Sequence, residues 1–141
     1  MGTWGHKTFE SDGALDFTAE LVEGDKSLIK DAILKVVEIG EEDYLEAPDC
    51  ENALVAIEFI AAHKGNPSAD FPGDATDWVK RNDLLVYKTG IFGKRVDIIE
   101  LSKKAIDRIL ANSELKELWE EGKEGEEWKK GVVDLRNRVQ L

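Results

Sequence analysis

Asp49-Cys-Glu-Asn-Ala-Leu-Val-Ala-Ile-Glu-Phe-Ile-Ala-Ala-His-Lys-Gly65 is the stretch on which the fold turns. Asp49 stands where a helix N-cap is expected, with a carboxylate able to accept from the amides of a first turn. Ala53, Leu54, Ile57, Ile60 and Ala61 follow at helical spacing, and Gly65 closes the run. So apolar a helix is expected at the centre of a domain rather than on its surface.

The flanking sequence supplies its neighbours. Ser11 or Asp12 caps a first helix that carries Leu15, Thr18, Leu21 and Val22 inward and stops at Gly24. Ser27 caps a second, with Ile29, Ile33, Val36 and Val37 as its stripe and Gly40 as its end. Residues 41–48 are acidic, end in Ala-Pro and read as an irregular connection. Beyond the central helix, Gly65, Pro67, Pro72 and Gly73 mark the longest loop, and Asp74 or Thr76 opens a short helix through Trp78 and Val79. Leu84 to Tyr87 is too short a run for periodicity to choose between a strand and a piece of helix. The chain turns around Gly90 and Gly93, and a strong helical pattern covers about Lys94 to Ala111. Ser113 caps a segment with Leu115, Leu118 and Trp119 as its apolar set, and Trp128, Val132, Leu135 and Val139 stripe a final helix. The expectation is an all-α, compact single-domain helical bundle of about five to seven helices, with residues 1–141 as one domain.

Charge divides the chain in two. Residues 1–63 hold fifteen acids and four bases, whereas residues 64–141 hold fifteen of each, so the first part carries the whole net charge of −11. Between Lys35 and Lys64 there are eight acids and no base. An acidic chain repels phosphate, which argues against nucleic acid and anionic membranes as partners. No apolar run is long enough to span a bilayer, and no charged-then-apolar leader opens the chain, so the expected location is cytoplasmic. A single cysteine, Cys50, excludes an internal disulfide and a multi-cysteine zinc site.

The sequence carries no catalytic signature, no cofactor motif and no metal ligand set. His6 and His63 belong to no ligand spacing; His63 falls near a helix C-terminus, where it favours capping the carbonyls, and His6 reads as a turn residue. Asp70, Asp74 and Asp77 do not match a calcium loop, and two of them fall where helix caps are expected. Cys50 lies in a first helical turn, which lowers a thiol pKa, but the surrounding acids oppose that and His63 is several turns away. Gly90-Ile-Phe-Gly93 lacks the spacing of a phosphate loop. The mixed charges of residues 120–130 read as a solvated helix face.

Trp78, Trp119 and Trp128 lie on apolar helical faces and read as core. Trp4 differs, because it stands between Gly2 and Gly5 ahead of any helix and implies a terminus that folds back and docks. Met1-Gly-Thr-Trp-Gly5, followed by Phe9-Glu-Ser-Asp12 and Ala14-Leu-Asp-Phe17, resembles the opening of the bacterial family catalogued as domain of unknown function 4259. That family opens Met-Gly-Ala-Trp-Gly and continues through Phe-x-Asn-Asp-x-Ala-x-Asp-Trp; Thr3, Ser11 and Phe17 are this chain's departures. The resemblance resumes at Tyr44-Leu-Glu-Ala-Pro48, at Gly65-Asn-Pro67, at Ser113 to Trp119 and at Asp134-Leu-Arg136. It implies a small soluble bacterial domain with Gly2, Trp4, Gly5, Phe9 and Asp12 as a structural anchor and residues 44–48 as a shaped loop. It implies no reaction.

Two functions are expected from different classes. The first is an acidic binding domain, of the immunity or inhibitor type, that neutralises a basic protein partner such as a toxin nuclease. Its contact would be Glu38, Glu41, Glu42, Asp43, Glu46, Asp49 and Glu51, with Tyr44 as aromatic anchor. The second is a small-ligand binder or enzyme built on the N-terminal Gly-x-Trp-Gly motif and the acidic loop, with His6, Asp12 and Glu46 framing a pocket. A structural or oligomerising helical domain is the plain alternative.

Overall fold

The computed structural model describes residues 5–141, so Gly2 and Trp4 of the anchor motif lie outside the described residues. Among those residues the order is α1 (Asp12–Glu23), α2 (Ser27–Val37), α3 (Ala47–His63), α4 (Gly73–Arg81), β1 (Tyr87–Thr89), β2 (Lys94–Val96), α5 (Ile98–Ala111), α6 (Glu114–Glu120) and α7 (Gly125–Gln140). Seven helices and one small hairpin make a compact helical domain, as the periodicity predicts.

The centre is α3. From Ala53 to Ala61 every side chain is buried, and α1, α2, α4, α6 and α7 all pack against this helix. A helix that is apolar on all sides can only be satisfied by surrounding it. Its start differs from the expected one. The helix begins at Ala47, two residues before Asp49, with no cap from its own N-cap residue Glu46. Pro48 is harmless in a first turn because its missing N–H has no partner to lose. The Ala47 amide instead donates to Glu114 Oε1 at 2.8 Å, and the Glu114 amide donates back to the Leu45 carbonyl at 2.9 Å. A residue sixty-seven positions away thus caps the central helix, which no local pattern can show.

Other boundaries follow side-chain chemistry. Ser11 Oγ accepts from the Ala14 amide and opens α1, Asp97 Oδ1 accepts from Glu100 and opens α5, and Ser113 Oγ accepts from Lys116 and opens α6. Ser27 is not a cap; Lys26 precedes α2. On α1 the buried face is Ala14, Phe17, Thr18 and Leu21, and Leu15 is turned to solvent. Phe9 is buried against Phe71, which also stacks edge-on with Phe59, and Phe59 does the same with Trp78. Phe9 thus packs the N-terminal segment against the core, while Asp12 is an exposed first-turn residue.

The ambiguous run resolves into a turn followed by a strand. Leu84 to Val86 are irregular, and Tyr87 begins a ribbon whose antiparallel register pairs Tyr87 with Val96, Lys88 with Arg95 and Thr89 with Lys94. The helix expected from Lys94 starts only at Ile98, because Gly90 and Gly93 take positive φ and fold the chain back before Asp97 caps it. The two helices α2 and α5 run the same way. Their N-terminal ends meet the ribbon, where Lys30 Nζ reaches the Lys88 carbonyl, and their C-terminal ends meet at Arg108, which binds the chain just past α2.

Candidate functional site

Between α2 and α3 the acidic connection is held by its backbone. The Arg108 guanidinium of α5 donates to the carbonyls of Ile39 at 3.2 Å, Gly40 at 3.0 Å and Asp43 at 2.7 Å. The Asp43 amide closes a turn onto Gly40, and Leu45 is buried as a plug. With the main chain fixed in this way, Glu38, Glu41, Glu42, Asp43 and Glu46 all point to solvent. None of the five forms an ion pair with a described residue.

Tyr44 extends this face onto α6. It is 55% exposed, and its hydroxyl donates to Glu117 Oε2 at 3.1 Å. Loss of water on its packed edge, the bond to Glu117 and the charges of Glu114 and Glu117 push the phenol up to about 12. Leu118, next to Glu117, is also exposed. The surface is therefore a mixed one, with acids from two elements around an aromatic and a leucine. Sequence reasoning missed Glu117, since nothing local links residues 44 and 117. Two expected members lie elsewhere: Asp49 pairs with Lys35 at 3.0 Å, and Glu51 faces the opposite side of α3.

That opposite side lines a cavity of about 420 Å3. Its walls are the N-terminal segment with His6 and Thr8, the α3 face bearing Glu51, Leu54 and Glu58, residues 67–70, and parts of α6 and α7. Glu58 is only 3% exposed and receives both terminal nitrogens of Arg138, at 2.9 and 3.1 Å. Arg138 also bonds the Asn66 carbonyl and Asp134. Burial raises the Glu58 carboxyl pKa, and the guanidinium opposes that rise. Ser68 Oγ and Asp70 Oδ2, both buried on this wall, have no hydrogen-bond partner among the described residues. Of the three residues expected to frame a pocket, His6 lines this cavity, whereas Asp12 and Glu46 do not.

The remaining candidates have structural roles. Burial pushes the Cys50 thiol up to about 11, the reverse of an activated nucleophile. His63 does not cap its own helix; its Nδ1 lies 3.1 Å from the Val79 carbonyl in the last turn of α4. Asp74 lies in the first turn of α4, where a carboxylate suits the helix dipole. Among the described residues, no group of three or more His, Cys, Asp or Glu side chains converges as a metal set, and no helix is long and apolar enough to cross a membrane.

Taken together, the described residues form a helical domain with one apolar axis, an acid-bearing loop clamped by an arginine and a cavity of mixed lining behind the axis. The chain belongs to the family described as Domain of unknown function (DUF4259), whose model matches residues 2–131. No curated protein and no solved structure matches it.

Proposed function

We propose that this protein binds a basic protein partner through the acidic loop and α6, in the manner of an immunity or inhibitor protein that covers the cationic cleft of a toxin nuclease. One observation carries the reading: five carboxylates form no ion pair with a described residue, on a loop whose backbone is already fixed by Arg108. A fixed loop loses little entropy on binding, and unpaired acids steer a cationic partner and pair with it on contact. Tyr44 and the exposed Leu118 supply apolar area at the middle of such a contact. No chemistry of its own is required, because occlusion is enough.

Pull-down from the native host tests this, with the captured protein assayed for nuclease activity and for its inhibition by the wild-type chain. Charge reversal at Glu41, Glu42 and Asp43 is expected to weaken capture by about tenfold or more and to flatten its salt dependence. Equal capture by the reversed variant removes the acidic face from the contact.

A second reading rests on the Ser68 hydroxyl and Asp70 oxygen on the cavity wall, which have no hydrogen-bond partner among the described residues. An amine-bearing small molecule would satisfy both acceptors while its body lies against Leu54, Trp119 and Trp128. Native mass spectrometry of protein taken from its own host tests it. A mass equal to the bare chain excludes a retained ligand.

A further inference from the structure

The ribbon β1–β2 ends in Gly90-Ile91-Phe92-Gly93, closed by the Gly93 amide on the Gly90 carbonyl at 3.2 Å. Ile91 and Phe92 occupy the two corner positions of that turn and are 94% and 93% exposed. Turn corners ordinarily carry Asn, Asp, Gly or Ser, which gain from hydrogen bonding and lose nothing to water. Two large apolar side chains placed there stand almost wholly in water among the described residues.

One step behind the tip stand three cations. Lys88 and Arg95 are directly opposed across the ladder, and Lys94 pairs with Thr89. Side chains alternate along a strand, so Lys88 and Arg95 share the outer face and Lys94 lies on the face of Tyr87. Like charges opposed in this way repel. None of the three forms an ion pair with a described residue. Lys26, over the Tyr87 ring at 5.1 Å, and Lys30, on the Lys88 carbonyl, bring two more cations to the base. Cations also discourage edge-to-edge pairing of a short ribbon, but that role leaves the apolar tip unexplained.

We propose that this tip is an anchor for an anionic lipid surface, with Ile91 and Phe92 entering the acyl boundary and Lys88, Lys94 and Arg95 facing the headgroup phosphates. The girdle decides the occupant. A protein docking on the ribbon would cover one face, whereas cations on both faces suit a medium that surrounds the tip when it enters end-on. The chain's overall acidity does not oppose this. From Ile98 to Arg108 α5 rises about 15 Å, so the clamped acidic loop lies beyond the length of about 8 Å over which charge is screened at physiological ionic strength. The inference is independent of the acidic-face reading.

Co-sedimentation of the full chain with vesicles tests it, using phosphatidylcholine alone and equal parts of phosphatidylcholine and phosphatidylglycerol. Binding is expected to the anionic vesicles only. Ile91→Ser with Phe92→Ser should weaken it by about tenfold or more, and each Gln replacing Lys88, Lys94 or Arg95 by about fivefold. These side chains lie outside the core, so circular dichroism and Tm should match the wild type. Failure of the wild type to bind anionic vesicles at low salt overturns the proposal. Retained binding by the serine variant does the same. So does self-association that the serine variant abolishes in a chain that ignores vesicles, since the tip would then serve a second copy.

Discussion

The acidic loop and the cavity lie on opposite sides of α3, and both are rich in carboxylates, yet they use an arginine in opposite ways. In the loop, Arg108 spends its donors on backbone carbonyls and leaves the side-chain charges unpaired. At the cavity, Arg138 spends most of its donors on side chains and neutralises a carboxylate that has almost no water. The difference separates charge that the fold requires from charge that the fold merely carries. Removing Glu58's partner leaves a buried ion, whereas removing the loop's acids leaves nothing unsatisfied. Surface charge that stability does not require is where an interaction role belongs.

The largest expected effect breaks the cavity side. Arg138→Met strands the Glu58 carboxylate and should cost about 3–5 kcal/mol in urea unfolding at neutral pH. Adding Glu58→Leu should restore much of that loss, because an apolar pair of similar volume removes the desolvation cost. A loss under about 1 kcal/mol for the single variant would mean that water reaches Glu58 and that the contrast with the loop is false.

A smaller effect is expected on the loop side. Arg108→Ala removes four charged hydrogen bonds to carbonyls at the molecular surface, three of them to the loop, and should cost about 1–2 kcal/mol. Amide exchange across residues 39–43 should quicken, while the centre of α3 keeps its protection. If the loop is the binding face, partner capture should fall in this variant although no acid has been altered. Stability lost without faster exchange in the loop would locate the role of Arg108 at the end of α5, where it also bonds the Asn112 carbonyl.

The division between what could and could not be read from the sequence follows the range of the interactions. The central helix, the Ser113 cap, a first cap at Ser11 or Asp12 and the last amphipathic stripe were legible because each depends on residues within a turn or two. The start of α3 was not, because its cap comes from Glu114. Lys94 to Val96 look helical beside the strong stripe that follows, and only the pairing with Tyr87 to Thr89 makes them a strand. Of the candidate contact, Glu38 to Glu46 was legible as an acidic run without bases. Its extension through Glu117 and the turning away of Glu51 were not, since both depend on how α6 and α3 pack. The hairpin tip could be read as a turn, but its isolation from the core could not.

Glu51 gives the finest test of the same contrast, because it belongs to the acidic run in sequence and to the cavity in space. Burial lifts its carboxyl above the ordinary 4.5. The folded state therefore holds this proton more tightly than the unfolded state does. The group's contribution to stability is greatest below pH 4.5, falls as pH rises through the folded pKa, and stays at that reduced level above it. Glu51→Gln cannot ionise, so its stability relative to wild type should climb across that window and then level off. The half-exposed position limits the gain to under about 1 kcal/mol. Urea unfolding of both chains from pH 4 to pH 7 measures the difference. A difference independent of pH would place Glu51 in water with the loop acids, and the cavity would then begin at Leu54.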